Sequence, residues 1–386
     1  MADEAKTLDL NWTSWTWQQQ HAIRDFAKLR QLLPWVQEGV ESTAQHFQFQ
    51  VTPYYFGLID KTDPNDPIAK ICIPTKSEME WQPEELPDPI GDRTKNMDMD
   101  NSPTRAIVHR YPDRCLLFLT PLCSSYCRYC FRREIVSKTE NNFNTELVDK
   151  SIEYIANTPE LKEVILSGGD PLTVSDKKLL GVLERLAAIP HIRSLRIHTR
   201  FPVFNPFRIT DELAAGFEKL AKPLWLMVHV THPREVSPEF KAAMKKLQRA
   251  GVALLNQAVM VRGCNDNVET LKELSYKLAE AGVKPHYIHT MDLAQGTSHF
   301  RVPLEQSRAI MKQLRGHLSG HLIPTLILDI PGGYGKIPLE ESFVKEIKEE
   351  NGRHVFTVES THVEGRMLRY EEVLPQKERK IGKTGS

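Results

Sequence analysis

A chain of 386 residues is long enough for one large domain with extensions or for two ordinary domains. Its 40% hydrophobic and 26% charged residues describe a globular protein, and 50 basic against 50 acidic side chains leave no net field toward nucleic acid or anionic lipid. No apolar run approaches the ~20 residues of a membrane span, and the acidic start Met1-Ala-Asp-Glu-Ala-Lys6 reads as neither signal nor transit peptide, so a cytoplasmic address is expected.

Residues 1–105 read as a helical, irregular extension. In it Trp12, Trp15 and Trp17 precede a helical pattern of Ile23, Phe26, Leu29 and Leu32–Leu33 that stops near Pro34. Asp63-Pro-Asn-Asp-Pro67 is a turn cluster, and Pro83–Ser102, rich in Pro, Asp and Asn, reads as a linker or wrapping segment. From residue 115 short apolar runs recur roughly every thirty residues, the period of a strand–helix unit. They are Leu116–Leu119, Val164–Leu166, Leu195–Ile197, Leu224–Val228, Ala253–Leu255 and Tyr287–Ile288, with Thr325–Leu328 as a seventh. Amphipathic segments lie between them: Leu147–Ala156, Lys177–Ala187, Pro238–Ala250, Val268–Ala281 and one near Leu304–Leu314. This alternation predicts an α/β fold, a partial (β/α)6-type barrel over residues 106–335 with helices covering a parallel sheet. Residues 336–386 form a short C-terminal extension. Its last thirty or so polar residues, through Gln376–Lys380 to Gly385-Ser386, are expected to be loosely ordered.

Half of the six cysteines crowd into Cys123-Ser-Ser-Tyr-Cys127-Arg-Tyr-Cys130, directly after the first apolar run. The carboxyl end of a strand is where parallel α/β folds bind ligands. Three thiolates from one loop can hold three irons of a four-iron cluster and leave the fourth open, and soft thiolates suit that chemistry. Structural zinc is the alternative; it wants a fourth ligand, from His109 or a distant Cys. Cys72, Cys115 and Cys264 read as ordinary buried thiols.

The CxxxCxxC loop, with Tyr129 just before its last Cys, resembles the signature of the radical S-adenosylmethionine (SAM) superfamily. The resemblance implies a 4Fe–4S cluster on Cys123, Cys127 and Cys130, an open iron that binds SAM, and Tyr129 near the adenine. Ser167, Gly168, Gly169 and Asp170, after the second run, look like the superfamily's segment for the SAM amino group. Arg200, His229, Asn256 and Gln257 are weaker candidates; Arg200 or His229 could touch SAM or close a buried polar network.

Over residues 10–340 the sequence is similar to the lysine 2,3-aminomutase subfamily. Asn11-Trp-Thr-Ser-Trp15, His109-Arg-Tyr-Pro-Asp-Arg114, Arg128-Tyr-Cys-Phe-Arg-Arg133 and Pro331-Gly-Gly-Tyr-Gly-Lys336 carry that similarity. It implies pyridoxal phosphate (PLP) as a Schiff base on Lys336, with Arg110 and Arg114 on the phosphate. Arginine suits phosphate, and glycines before Lys336 let backbone approach a ligand. A phosphate-loop frame is missing, because Ile337 follows Lys336. A surface lysine and surface ion pairs are the plain alternatives.

Arg132 matches the position that receives the substrate carboxylate. Asp292 and Asp329, after two strands, would receive a cationic side chain, since an ammonium between two carboxylates relieves their repulsion. Either could instead cap a helix or pair with Arg301 or His299. The resemblance thus implies an isomerase interconverting L-lysine and β-lysine, through hydrogen abstraction by a 5′-deoxyadenosyl radical and 1,2-amino migration. A reduced flavodoxin or ferredoxin as electron donor and a homo-oligomer are expected; nucleic-acid and membrane partners are not. A 2,3-aminomutase for arginine, ornithine or glutamate stays open. So do β-lysine supply for translation-factor modification and a non-catalytic metal-binding barrel. The longest family members hold structural zinc on a C-terminal cysteine cluster. No Cys follows Cys264, so that site cannot exist here in that form.

Overall fold

Seven apolar runs set side by side build the centre of a nine-stranded sheet in the computed structural model. Its strands follow chain order: β1 (Ile107–Tyr111), β2 (Arg114–Thr120), β3 (Glu163–Gly168), β4 (Ser194–Thr199), β5 (Leu224–Val228), β6 (Ala253–Val259), β7 (Lys284–His289), β8 (Thr325–Ile330) and β9 (Gly335–Pro338). β2 to β8 are parallel, whereas β1 and β9 pair antiparallel at the two edges. The structure describes residues 11–92, 104–138, 145–340, 342–350, 353–361 and 365–373. The acidic start at Met1–Lys6, the Pro-rich segment from 93 onward and the polar tail beyond 373 lie outside the described residues.

Helices Thr145–Ala156, Asp176–Ala187, Asp211–Glu218, Pro238–Arg249, Val268–Glu280 and Leu304–Leu314 connect the strands. Ser175, Thr210, Ser237 and Asn267 each accept a first-turn backbone N–H, which fixes four helix starts. Each helix buries one stripe, such as Phe240, Ala243, Met244 and Leu247. A fully buried Leu or Phe of this kind contributes about 1.5–3 kcal/mol. On the strands, parity divides the work. Leu254, Asn256 and Ala258 of β6 are buried, while Gln257 and Val259 face a cavity inside the curl.

Two elements differ from expectation. His109-Arg-Tyr111, which precedes the first apolar run, lies in strand β1, and the Tyr111–Arg114 pair closes a tight turn onto β2. Within the C-terminal extension, β10 (Val344–Glu350), β11 (Arg353–Glu359) and β12 (Met367–Val373) make a separate antiparallel sheet. Polar composition hid these strands, because cross-strand ion pairs, Arg353–Glu371 at 3.0 Å and Arg369–Glu350 at 2.7 Å, replace apolar burial.

The N-terminal extension folds into short helices, Trp15–Gln20, Phe26–Leu32, Pro53–Phe56 and Pro67–Cys72, and holds the cysteine loop. Fully buried Arg128 donates to both Glu78 carboxylate oxygens at 2.9 and 2.7 Å, and Arg133 adds a third bond at 2.5 Å. Burial alone would raise the Glu78 carboxyl; the two guanidiniums outweigh it and lower it. The Gln50 amide donates to Ser124 O at 2.8 Å, and Arg128 N to Ile71 O at 2.8 Å.

Candidate active site

A cavity of about 560 Å³ runs along the inside of the curled sheet, from Arg114 and Glu163 at the starts of β2 and β3 to Asp292 past the end of β7, Asp329 near the end of β8 and Lys336 near the start of β9. Its wall carries Cys123, Cys127, Cys130, Tyr129, Arg132, Arg110, Arg114, Ser167, Gly168, Gly169, Asp170, Arg200, His229, Gln257, Asp292, Asp329 and Lys336. A volume of this size suits small-molecule chemistry.

The cysteine loop leaves β2 and presses against the loop after β3. A Cβ on Gly169 would stand 2.4 Å from Leu122 O, and one on Gly168, at φ +116°, 2.8 Å from Thr120 O. Only glycine lets the two loops approach this closely. All three thiols are free. Burial pushes the Cys127 thiol up to about 11 against the nearby Arg200 charge, and raises Cys123 and Cys130 as well. Such thiols stay protonated until a metal displaces the proton. No three His, Cys, Asp or Glu side chains among the described residues converge on the point a single ion would take. Three soft thiols from one loop, all on the cavity wall, suit an iron–sulfur cluster held at three corners. His109, the possible fourth zinc ligand, hydrogen-bonds the Tyr154 hydroxyl at 2.8 Å.

Asp329 on β8 faces Lys336 on β9 as a register pair. Its Oδ2 accepts from Lys336 Nζ at 2.7 Å and from His289 Nδ1 at 3.0 Å. Neither Arg301 nor His299 is the partner; Arg301 pairs with Glu84 and Glu85. Burial works to raise Asp329, but the His289 hydrogen bond and the Lys336 charge prevail and hold it at about 2. The loop before Lys336 needs its glycines, since Gly332, Gly333 and Gly335 have φ of +83°, +78° and +97°. A lysine that directly follows a left-handed glycine loop and lines a cavity wall fits an aldehyde cofactor.

Asp292 behaves in the opposite way. Burial, and next the Asp329 charge, push it from 3.8 up to about 7. A carboxyl raised on folding favours the native state below 3.8 and loses that advantage as pH climbs through 7. Asp292→Asn is therefore expected to raise the Tm of the ligand-free protein at pH 8 by several degrees and to change it little near pH 4. Calorimetry at both pH values checks this, and equal shifts would mean that Asp292 is not the titrating group.

Arg110 and Arg132 meet on one acid. Asp92 takes Arg110 Nη2 at 2.9 Å and Arg132 Nε at 2.9 Å, and Arg132 Nη1 donates to Ser167 Oγ at 3.1 Å. Arg114 pairs with Asp113 at 2.7 Å and lies over the Tyr111 ring at 3.8 Å. Arg110 and Arg114 line the same cavity as Lys336, and guanidiniums suit a phosphate carried by that cofactor.

Several SAM candidates are already occupied. The Asp170 carboxylate is saturated by Thr199 Oγ1 (2.7 and 2.9 Å) and the backbone N–H groups of Leu172, Arg200 and Phe201. It shapes the loop and offers no oxygen to a ligand. Arg200 closes a buried network, with Glu235 at 2.5 Å and with the Tyr129 hydroxyl, itself 2.9 Å from Thr231. The Asn256 amide bonds both Val230 backbone groups and is structural. Ser167, Gly168, Gly169, His229 and Gln257 remain on the wall.

Among the wall residues that the sequence reading did not single out are Asp92, His198 and His289. Asp92 lay in a stretch taken for linker. The histidines carried a signal, since Arg196-His198 and Tyr287-His289 set polar side chains at alternate positions of strands, the inward parity of a lined cavity.

A profile of the Radical SAM superfamily matches residues 117–275, and one for Lysine-2,3-aminomutase matches residues 311–357. The L-lysine 2,3-aminomutase of Clostridium subterminale is 42% identical over 339 residues, covering 87% of this chain and 80% of that one. That of Fusobacterium nucleatum is 43% identical, over 87% and 78%. The glutamate 2,3-aminomutase of Clostridioides difficile is 36% identical, over 85% and 77%. A solved radical SAM methyltransferase from Sphaerobacter thermophilus overlaps 57% of this chain and 68% of its own, at 20% identity and a TM-score of 0.43. On the strength of these relatives the chain belongs to the lysine 2,3-aminomutase family of the radical SAM superfamily, whose enzymes use a 4Fe–4S cluster, SAM and PLP.

Proposed function

We propose that this enzyme moves the amino group of L-lysine between its α- and β-carbons, with Asp292 and Asp329 receiving the side-chain ammonium. One observation carries the choice of lysine: two carboxyl groups share the cavity wall with Lys336, and the charge of one raises the other. A ligand cation between them removes that cost, whereas the second carboxylate of glutamate would add to it.

When bound, the cluster and SAM supply a carbon radical that takes hydrogen, and PLP supplies the carbonyl that carries the migrating nitrogen. The remaining work falls to this chain's residues. Cys123, Cys127 and Cys130 hold the cluster and leave one iron free. Lys336 anchors PLP, with Arg110 and Arg114 on its phosphate. Arg132, already ordered by Asp92 and Ser167, presents a guanidinium edge to the substrate carboxylate. Gripping lysine at both ends fixes which hydrogen faces the radical. The curled sheet, with the cavity on its inner face, would shield the reacting carbons from bulk water.

A reducing cytoplasm, where unpaired thiols stay free for iron, belongs to the same reading. So does a flavodoxin- or ferredoxin-type donor, since the cluster needs a single low-potential electron. Self-association has support in Ile347, Met367 and Tyr370, all well exposed on the C-terminal sheet.

Anaerobic incubation of the reconstituted, reduced protein with SAM, PLP and L-lysine tests the proposal, with products identified by NMR. β-Lysine is the expected product. If only 5′-deoxyadenosine forms, lysine is the wrong substrate. Asp329→Ala is expected to cut lysine turnover about 10²-fold or more while sparing iron content and SAM cleavage. Iron loss in parallel with turnover would defeat the role given to Asp329.

A further inference from the structure

The two oxygens of Asp329 are used unequally. Oδ2 takes both protein donors, Lys336 Nζ and His289 Nδ1. Among the described residues, Oδ1 is buried and meets no protein donor, and Nε2 of His289 is buried without a partner as well. His289 is only 5% exposed and ends β7 on the cavity wall. A buried acceptor left unpaired costs about 1–3 kcal/mol. The fold tolerates that cost at an atom facing the place where a ligand cation is expected.

We infer that His289 is a positioning residue, whose Nδ1–H pins Oδ2 of Asp329 so that Oδ1 is presented to the ammonium of the substrate. The inference rests on Asp329 being the receptor for that ammonium. An imidazole suits the task for a physical reason. Burial lowers its pKa, so it donates a hydrogen bond while remaining neutral and does not compete with the substrate's charge. A Lys or Arg in its place would neutralise Asp329 outright. The other hold on Oδ2 is conditional. Once Nζ of Lys336 carries the cofactor its free ammonium is gone, and His289 is the remaining donor to that oxygen among the described residues.

The test compares two probes on PLP-loaded protein. 6-Aminohexanoate is lysine without its α-amino group, and hexanoate lacks the cation as well. The ratio of their affinities measures the cation subsite apart from the carboxylate grip. His289→Leu is expected to reduce the preference for 6-aminohexanoate about tenfold, the value of one such hydrogen bond, while hexanoate affinity stays unchanged. His289→Asn, whose amide nitrogen stands where Nδ1 does, should restore the preference to within about threefold of the native value.

An unchanged preference in His289→Leu, together with a collapse in Asp329→Asn, overturns the positioning role and leaves the receptor intact. An unchanged preference in Asp329→Asn itself removes the receptor reading beneath it. If hexanoate binding falls in parallel, His289 is merely structural and the inference fails. Should His289→Leu not fold, His289→Gln takes its place, because its longer amide cannot meet Oδ2 from the same direction.

Discussion

Cys127→Ala is expected to purify colourless, with little bound iron, and to lower both SAM cleavage and lysine turnover by at least about 10³-fold. The reason is the geometry of the grip. Two remaining thiols cannot hold a four-iron group at three corners, and without it no electron reaches SAM. The fold should survive, because Ala is smaller than Cys and the loop is held by Arg128 and Arg133 on Glu78, not by the thiol. Cys264→Ala is the control. Cys264 is 4% exposed and its thiol is pushed upward by burial, yet it does not line the cavity. It should lose stability and keep its colour. Iron analysis and visible absorbance separate the two variants, and a coloured Cys127→Ala would remove the residue from the ligand set.

Lys336→Ala is expected to abolish lysine turnover, again by about 10³-fold or more, while iron content and SAM cleavage persist. PLP should wash out on gel filtration, since phosphate contacts alone give a reversible hold. The same change removes a cation from Asp329. A carboxyl held at about 2 on folding contributes stability above its ordinary 3.8, lost as pH falls through 2. Losing the Lys336 share should cost roughly 1 kcal/mol at neutral pH, after screening at the half-open lysine. Absorbance of the bound cofactor and thermal melts read the two effects. Retained PLP after gel filtration would end the assignment of Lys336 as its anchor.

Local signals in the sequence reached far in this protein. The cysteine loop declares itself within eight residues, because three ligands on one turn must be close in sequence to be close in space. The parallel strands were legible because apolar runs between amphipathic helices have few other uses. What stayed hidden was partner choice over long distances. Arg200 and Asp170 read as ligand groups by position, but Glu235 had already claimed the first, and the Thr199 hydroxyl with the Arg200 and Phe201 backbone N–H groups the second. His289 stayed unseen for the converse reason: its role comes from an acid forty residues later, met across two strands. The C-terminal strands were missed because their order comes from paired charges, which look the same in a strand as in a solvated tail.

The strap between the N-terminal extension and the cysteine loop bears on the order of assembly. Gln50, Ile71 and Glu78 leave the ribosome well before Cys123, but the groups they hold in the cysteine loop, Ser124 O for Gln50, Arg128 N for Ile71 and the Arg128 and Arg133 guanidiniums for Glu78, emerge only later. The loop in turn has no fixed shape until those earlier residues dock on it. Its ordering thus waits for a contact spanning fifty residues or more, a slow closure compared with helix formation. Iron should accordingly arrive as a late step, on a chain already closed, and nascent chains cut short before residue 128 should leave that half of the strap unclosed.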